Sequence, residues 1–230
     1  MLATYADHRL MSFSFHHDPV LVIENFWTAD ERTYFQKAMA ATAWRSLAEM
    51  PSLRAVFPGC GDWLKAEMGP DQARIFLNKL TLPCINDYIE SFPNIRRRHM
   101  SFSYYCYRAG DCLLTHDDTV QGYDPVGTKQ TPPLLRRIAL VTYLHDEWHS
   151  DWGGELIIYS SNGDDTKKGG HNGKHLSITH CIEPRPGSLV PFTVPRFHRV
   201  SRIDPISGNH RRLSIAGWFM TEHENADSGS

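Results

Sequence analysis

From residue 100 onward the chain is a succession of short runs rich in Val, Ile, Tyr, Leu and Thr: "SFSYYCY", "CLLTH", "RIALVTYL", "GELIIYS", "HLSITHCIE", "SLVPF", "FHRVSRI" and "RRLSIAGWF". Gly, Pro, Asp and Asn punctuate them. Each run has the length of a strand, and eight in succession predict an antiparallel sandwich or barrel. Two longer polar stretches, 119–136 and 161–176, interrupt the series and read as loops, of a length that is often functional. The first hundred residues differ. A short apolar, strand-like "VLVIENF" is followed by Thr28-Ala29-Asp30-Glu31, the signature of a capping box. That spacing predicts a helix through about Trp44. "DQARIFLNKLTLPCINDYIESF" predicts a second helical region, with Asp71 as a cap and Pro83 as a kink or break. "IRRRHM" (95–100) reads as an exposed connection. No linker divides the chain, so the expectation is one domain over 1–230: an N-terminal strand with supporting helices over 1–99, and a β core over 100–220.

Charge narrows the function classes. Lys and Arg number 24 against 26 Asp and Glu, for a formal charge of -2. A binder that works by neutralising phosphates needs a basic excess, so direct nucleic-acid contact is not expected. No apolar run approaches a membrane span, and no charged leader precedes an apolar core at the start, so neither a membrane partner nor a secretory signal is expected. Five scattered cysteines with no C-x-x-C fit free thiols in a reducing cytoplasm.

The most informative short stretch is "CLLTHDD". In a strand, residues i and i+2 share a face. His116 and Asp118 then lie on one side with Leu114, and Asp117 points away. Two ligands hold a metal weakly, and His198, in "PFTVPRFHRVSRI", is the candidate third on a strand that a rolled sheet can bring alongside. Two histidines and one carboxylate on one side of a metal, with three positions open, form the facial triad of non-haem Fe(II). Against this stand the facts that H-x-D is common by chance and that a lone strand histidine usually packs. The last run strengthens the case. Alternation puts Arg212, Ser214, Ala216 and Trp218 on one face and Leu213, Ile215, Gly217 and Phe219 on the other. An inward arginine followed by two small residues leaves room for an anion, and its planar fork suits a carboxylate. Arg211 reads as a surface cation. Leu114, Ala139, Val141 and Ala216 are candidates for an apolar lining.

"YRAGDCLLTHDD", "RRIALVTYLHDEWHSDWGGELIIYS", "PRPGSLVPFTVPRFHRVSRI" and "RRLSIAGWF" occur in that order over roughly residues 100–220, preceded by "ENFWTADE". Together they resemble the 2-oxoglutarate- and Fe(II)-dependent dioxygenases of the prolyl 4-hydroxylase-like type. Within that family they resemble the catalytic domain of the ribosomal-protein prolyl 3-hydroxylases of yeasts and animals. The resemblance implies a fold that is mainly β with flanking α-helices, built on a double-stranded β-helix (jelly-roll, cupin-like) core. It implies that His116, Asp118 and His198 bind iron as the catalytic centre. It also implies that Arg212 binds the distal carboxylate of 2-oxoglutarate, with Tyr107 and Tyr143 assisting. The implied cofactors are Fe(II), 2-oxoglutarate as cosubstrate and O₂, with ascorbate as a candidate reductant. The implied reaction is hydroxylation of an unactivated C–H, first of all a prolyl residue of a protein or peptide, with a ribosomal protein as the first candidate partner. The alternatives are hydroxylation of a free amino acid or small natural product, and a non-catalytic cupin-like module that holds a metal or an acid. The chain departs from those hydroxylases in stopping near residue 230, where they carry a second domain, and in its long loop from Thr119 to Arg136.

Overall fold

The apolar runs pair into two antiparallel sheets. The computed structural model of the 230-residue chain describes residues 20–92, 94–95, 100–119, 134–160 and 176–222. The strands are β1 (Arg45–Ser46), β2 (Leu64–Glu67), β3 (Met100–Tyr107), β4 (Leu113–His116), β5 (Leu134–Tyr143), β6 (Leu156–Tyr159), β7 (Ile178–Ile182), β8 (Leu189–Thr193), β9 (His198–Val200) and β10 (Arg212–Glu222). One sheet has the order β1-β2-β3-β10-β5-β8 and the other β4-β9-β6-β7. All eight runs that read as strands contribute one. β1 and β2 were not foreseen: "LKAE" has two charges in four residues and no apolar run, and is held as a strand by its pairing with β3.

The six-stranded sheet is buried on both faces, which is why β5 reads as a nearly continuous apolar run. On one face Ile138 and Leu140 of β5 and Ile215 and Phe219 of β10 pack under helices; on the other, Ala139, Val141 and Tyr143 join Leu156, Ile158, Val190 and Phe192 between the sheets. Ala216 and Trp218 of β10 pack against that inner cluster, so the period-2 alternation of β10 sorts its side chains as expected.

The α-helices are α1 (Ala29–Ala40), α2 (Pro51–Val56), α3 (Pro70–Lys79) and α4 (Pro83–Glu90); α1, α3 and α4 back the large sheet, while Leu53 of α2 packs on a separate cluster with Leu47, Met50 and Trp63. The capping box is present: Thr28 Oγ1 accepts from Glu31 N at 3.2 Å, and Glu31 Oε2 accepts from Thr28 N at 2.8 Å. α1 ends at Ala40 and does not reach Trp44. The Trp44 indole N–H instead donates to the Met39 carbonyl at the helix end, at 3.0 Å. Pro83 splits the second helical region outright, because proline suits the first turn of a new helix. Gly69, and not Asp71, occupies the cap of α3; Asp71 sits within its first turn and bonds Arg74 at 3.1 Å. "VLVIENF" pairs with the free edge of β8 through Leu21 N to Pro191 O (3.1 Å) and Ile23 N to Leu189 O (2.8 Å), covering an edge that would otherwise be open. The interiors of the loops at 119–136 and 161–176, and most of "IRRRHM", lie outside the described residues.

Candidate active site

β4 and β9 are antiparallel neighbours, and their register places His116 directly opposite His198. The imidazole centroids are 4.2 Å apart. The Asp118 carboxylate closes the group: Oδ1 lies 3.4 Å from His116 Nε2 and Oδ2 lies 3.4 Å from His198 Nε2. One donor atom from each of the three lies within 4.8 Å of the others, and among the described residues this is the one such group.

Strand parity does not produce this convergence. β4 ends at His116, and Asp118 sits beyond it with φ 62°, in the left-handed region. Aspartate tolerates that conformation better than most residues. Asp117 makes the turn, its Oδ1 accepting from Thr119 N at 2.9 Å while its own carbonyl accepts from Arg196 N at 3.3 Å. The register of β4 is also irregular between Leu113 and His116. Accordingly Leu114, which parity places beside His116 and Asp118, is 40% exposed, whereas Ala139, Val141 and Ala216 pack between the sheets.

Both imidazoles are held in one tautomer by the same local device. His116 Nδ1 lies 2.8 Å from the Leu114 carbonyl, and His198 Nδ1 lies 2.7 Å from the Arg196 carbonyl. A carbonyl only accepts, so each Nδ1 carries a proton, and in the neutral ring each Nε2 presents a lone pair. Burial alone would raise the Asp118 carboxyl. His198, His116 and Arg136 outweigh it and hold the group well below the usual carboxylate range. Burial, reinforced by His116, pushes His198 down to about 4. Burial works in the same direction on His116, but the contact with Asp118 prevails and raises it. The result is an anion flanked by two oriented nitrogen donors, a set suited to Fe(II).

Deeper between the sheets lies Arg212, 2% exposed. Its Nε donates to the Gly154 carbonyl at 2.9 Å and its Nη2 to the Tyr143 hydroxyl at 3.3 Å. Its guanidinium carbon lies 5.5 Å from the Tyr107 ring centroid and 4.8 Å from that of Tyr143. Among the described residues no carboxylate pairs with it. Two residues along the same face of β10, the buried Ser214 hydroxyl has no partner among the described residues. A buried cation and an orphaned hydroxyl are what a bound carboxylate would satisfy, so these residues fit the distal end of 2-oxoglutarate. Gly154 has φ 77°, and a Cβ there would meet Arg212 Cδ at 3.1 Å and the Trp148 ring at 3.2 Å. The turn that offers its carbonyl to Arg212 therefore needs glycine.

Two neighbours of Asp118 escaped the sequence reading as site residues. The Trp218 indole Nε1–H donates to Asp118 Oδ2 at 2.6 Å, and Arg136 Nη1 lies 3.4 Å from Oδ1. The Arg136 guanidinium carbon stands 3.6 Å from the Trp218 ring centroid. Trp218 was legible from its place on the Arg212 face. Arg136 was not, for simple alternation would send Arg137 inward with Ala139. In β5 an extra residue intervenes where Ile138 pairs with Phe219 and Arg136 with Met220, and such a bulge reverses the facing of everything before it.

Two antiparallel sheets that bring two imidazoles and a carboxylate together, with a buried arginine between them, form a site that could hold one metal ion and an anion. The chain belongs to the 2OG-Fe(II) oxygenase superfamily, whose sequence profile matches residues 102–220. It is 34% identical over 118 residues to the prolyl 3-hydroxylase OGFOD1 of Mus musculus, covering 49% of this chain and 17% of that protein. It is 25% identical over 149 residues to the prolyl 3-hydroxylase sudestada1 of Drosophila melanogaster, covering 62% of this chain and 24% of that protein. The matched region thus spans less than a quarter of each relative's length. Among solved structures, a prolyl hydroxylase from Trichoplax adhaerens in complex with a hypoxia inducible factor oxygen degradation domain peptide shares the fold. Its TM-score is 0.59 at 18% identity, covering 94% of this chain and 90% of that one.

Proposed function

We propose that this protein is a 2-oxoglutarate- and Fe(II)-dependent dioxygenase that hydroxylates a prolyl residue of a protein, with a ribosomal protein as the first substrate to try. The observation that carries the enzymatic part is the pairing, in one interior, of a three-donor metal group with a buried arginine that has no carboxylate of its own among the described residues. A degenerate module that only stored a metal or an acid would not need both. Proline comes from the names of the two relatives.

In this proposal His116, Asp118 and His198 hold iron on one side, each imidazole kept in its Nδ1–H form by a backbone carbonyl. Arg212, with the Tyr143 and Ser214 hydroxyls, clamps the distal carboxylate of 2-oxoglutarate, and Tyr107 packs against the guanidinium. Ala139, Val141 and Ala216 exclude water. Bound Fe(II) supplies the oxidative chemistry, whose balance is C–H, O₂ and 2-oxoglutarate giving C–OH, succinate and CO₂. The protein's part is geometry, charge and dryness. Five free thiols suit a reducing compartment, and the cytoplasm is the proposed location.

The test is incubation with Fe(II), 2-oxoglutarate, ascorbate and proline-containing ribosomal peptides or intact ribosomal proteins. The expected result is a gain of one oxygen on proline with stoichiometric succinate. Hydroxylation of free amino acids alone would overturn the substrate while leaving the cofactors standing.

A further inference from the structure

Trp218 does more than fill space between the sheets. Its Nε1–H meets Asp118 Oδ2 at 2.6 Å, a short charge-assisted bond. The other oxygen, Oδ1, has Arg136 at a looser 3.4 Å. Indole nitrogen is a donor only, so this bond suits a carboxylate and cannot be returned. The Arg136 guanidinium lies across the indole, 3.6 Å from its centroid, and holds the ring in plane. Arg136 comes to this face because of the bulge in β5.

Resting on the metal-site reading above, we infer that Trp218, braced by Arg136, is a positioning residue that makes Asp118 a one-oxygen ligand. An oxygen whose lone pair already accepts a short hydrogen bond is the poorer metal donor, so Oδ2 is reserved for the indole and Oδ1 is left for the metal. This matters because a carboxylate that chelates through both oxygens occupies one of the three positions that a 2-oxo acid and O₂ require. Without the indole donor, the Asp118 carboxylate is free to turn both oxygens toward the metal.

The test uses Co(II) as a probe of the full chain freed of metal. The visible ligand-field spectrum reports coordination number, and 2-oxoglutarate is titrated afterwards. Trp218→Phe keeps an aromatic ring in the position but loses the N–H together with part of the indole's bulk. It is expected to bind Co(II) about tenfold more weakly, the scale on which partners of metal ligands act. Its spectrum is expected to move toward higher coordination, and 2-oxoglutarate to bind the Co(II) form more weakly. Arg136→Met, which leaves the indole in place but unbraced, is expected to move the spectrum in the same direction by less. It also carries the test should Trp218→Phe fail to fold. A lower melting temperature in both variants with Co(II) affinity and spectrum unchanged would mean that Trp218 only packs, and would overturn the inference. A wild-type chain that binds no Co(II) would overturn the metal site and this inference together.

Discussion

Asp117 and Asp118 are adjacent and chemically identical, yet the fold gives them different work. Asp118 is 6% exposed and faces two imidazoles, a tryptophan and an arginine, while Asp117 spends its carboxylate on the Thr119 amide. Asp118→Ala is therefore expected to abolish Co(II) or Fe(II) binding. Asp117→Ala is expected to weaken it only several-fold, by loosening the turn that presents Asp118. Metal titration of both variants decides this, and equal losses would sink the assignment. The pairing of His116 with Asp118 is legible from the H-x-D spacing, but its cause is not: the stretch reads as a strand ending in a turn, and backbone at φ 62° cannot be inferred from strand parity. Arg212 is the second contrast. Arg212→Ala removes a buried partner for a carboxylate, a loss on the order of 2–5 kcal/mol and hence several tens-fold or more in 2-oxoglutarate affinity. Co(II) affinity in the same variant is expected to stay within a few-fold. A larger effect from Arg211→Ala would contradict the inward face of β10.

At the scale of elements, strands were easier to read than the way they bend. β10 alternates without interruption from Arg212 to Phe219, so both its faces could be sorted from sequence. β5 alternates from Ile138 onward but carries its extra residue just before, so Arg136 was unreadable as a site residue. β1, at the sheet edge, and β2 beside it carry no apolar pattern of their own, because they owe their state to pairing with a neighbour. The turn before β6 shows the same dependence in reverse. Nothing in "DWGGEL" announces that Gly154 lies against Arg212, yet its φ of 77° strains any side chain, and a Cβ 3.1 Å from Arg212 Cδ would make the arginine give way by a few tenths of an ångström. Gly154→Ala is expected to cost about 1–3 kcal/mol in stability. It is also expected to weaken 2-oxoglutarate more than metal, because Arg212 must shift. Chemical denaturation and paired ligand titrations measure both. Unchanged 2-oxoglutarate affinity would show that the Gly154 carbonyl does not set the arginine's position.

For the whole molecule, the distribution of buried charge sets how stability depends on pH. His145 follows β5 in a pocket of rings, with Tyr143 and Trp148 centroids 5.9 and 4.8 Å away, and its Nε2–H donates to the Pro184 carbonyl at 2.7 Å. Burial, with Arg212 and Arg32 nearby, pushes it down to about 4. Since the unfolded chain's histidine titrates near 6.5, the unfolded state takes up a proton first as pH falls, and the folded state does not. His145 therefore contributes stability that is complete above about pH 6.5 and is lost progressively toward pH 4, in all about 3 kcal/mol. His198 behaves alike in the metal-free protein, His116 opposes it, and the depressed Asp118 adds a further loss only below the carboxylate range. Those three groups also exchange protons for metal, so the measurement that isolates His145 compares metal-free wild type with His145→Gln. Urea unfolding at intervals from pH 7.5 to 4 is expected to show the wild type falling more steeply, with the two stability curves converging by about 3 kcal/mol across that window. Parallel curves would mean that His145 is as readily protonated in the folded protein as in the unfolded chain, and that the pocket behind Arg212 is wet.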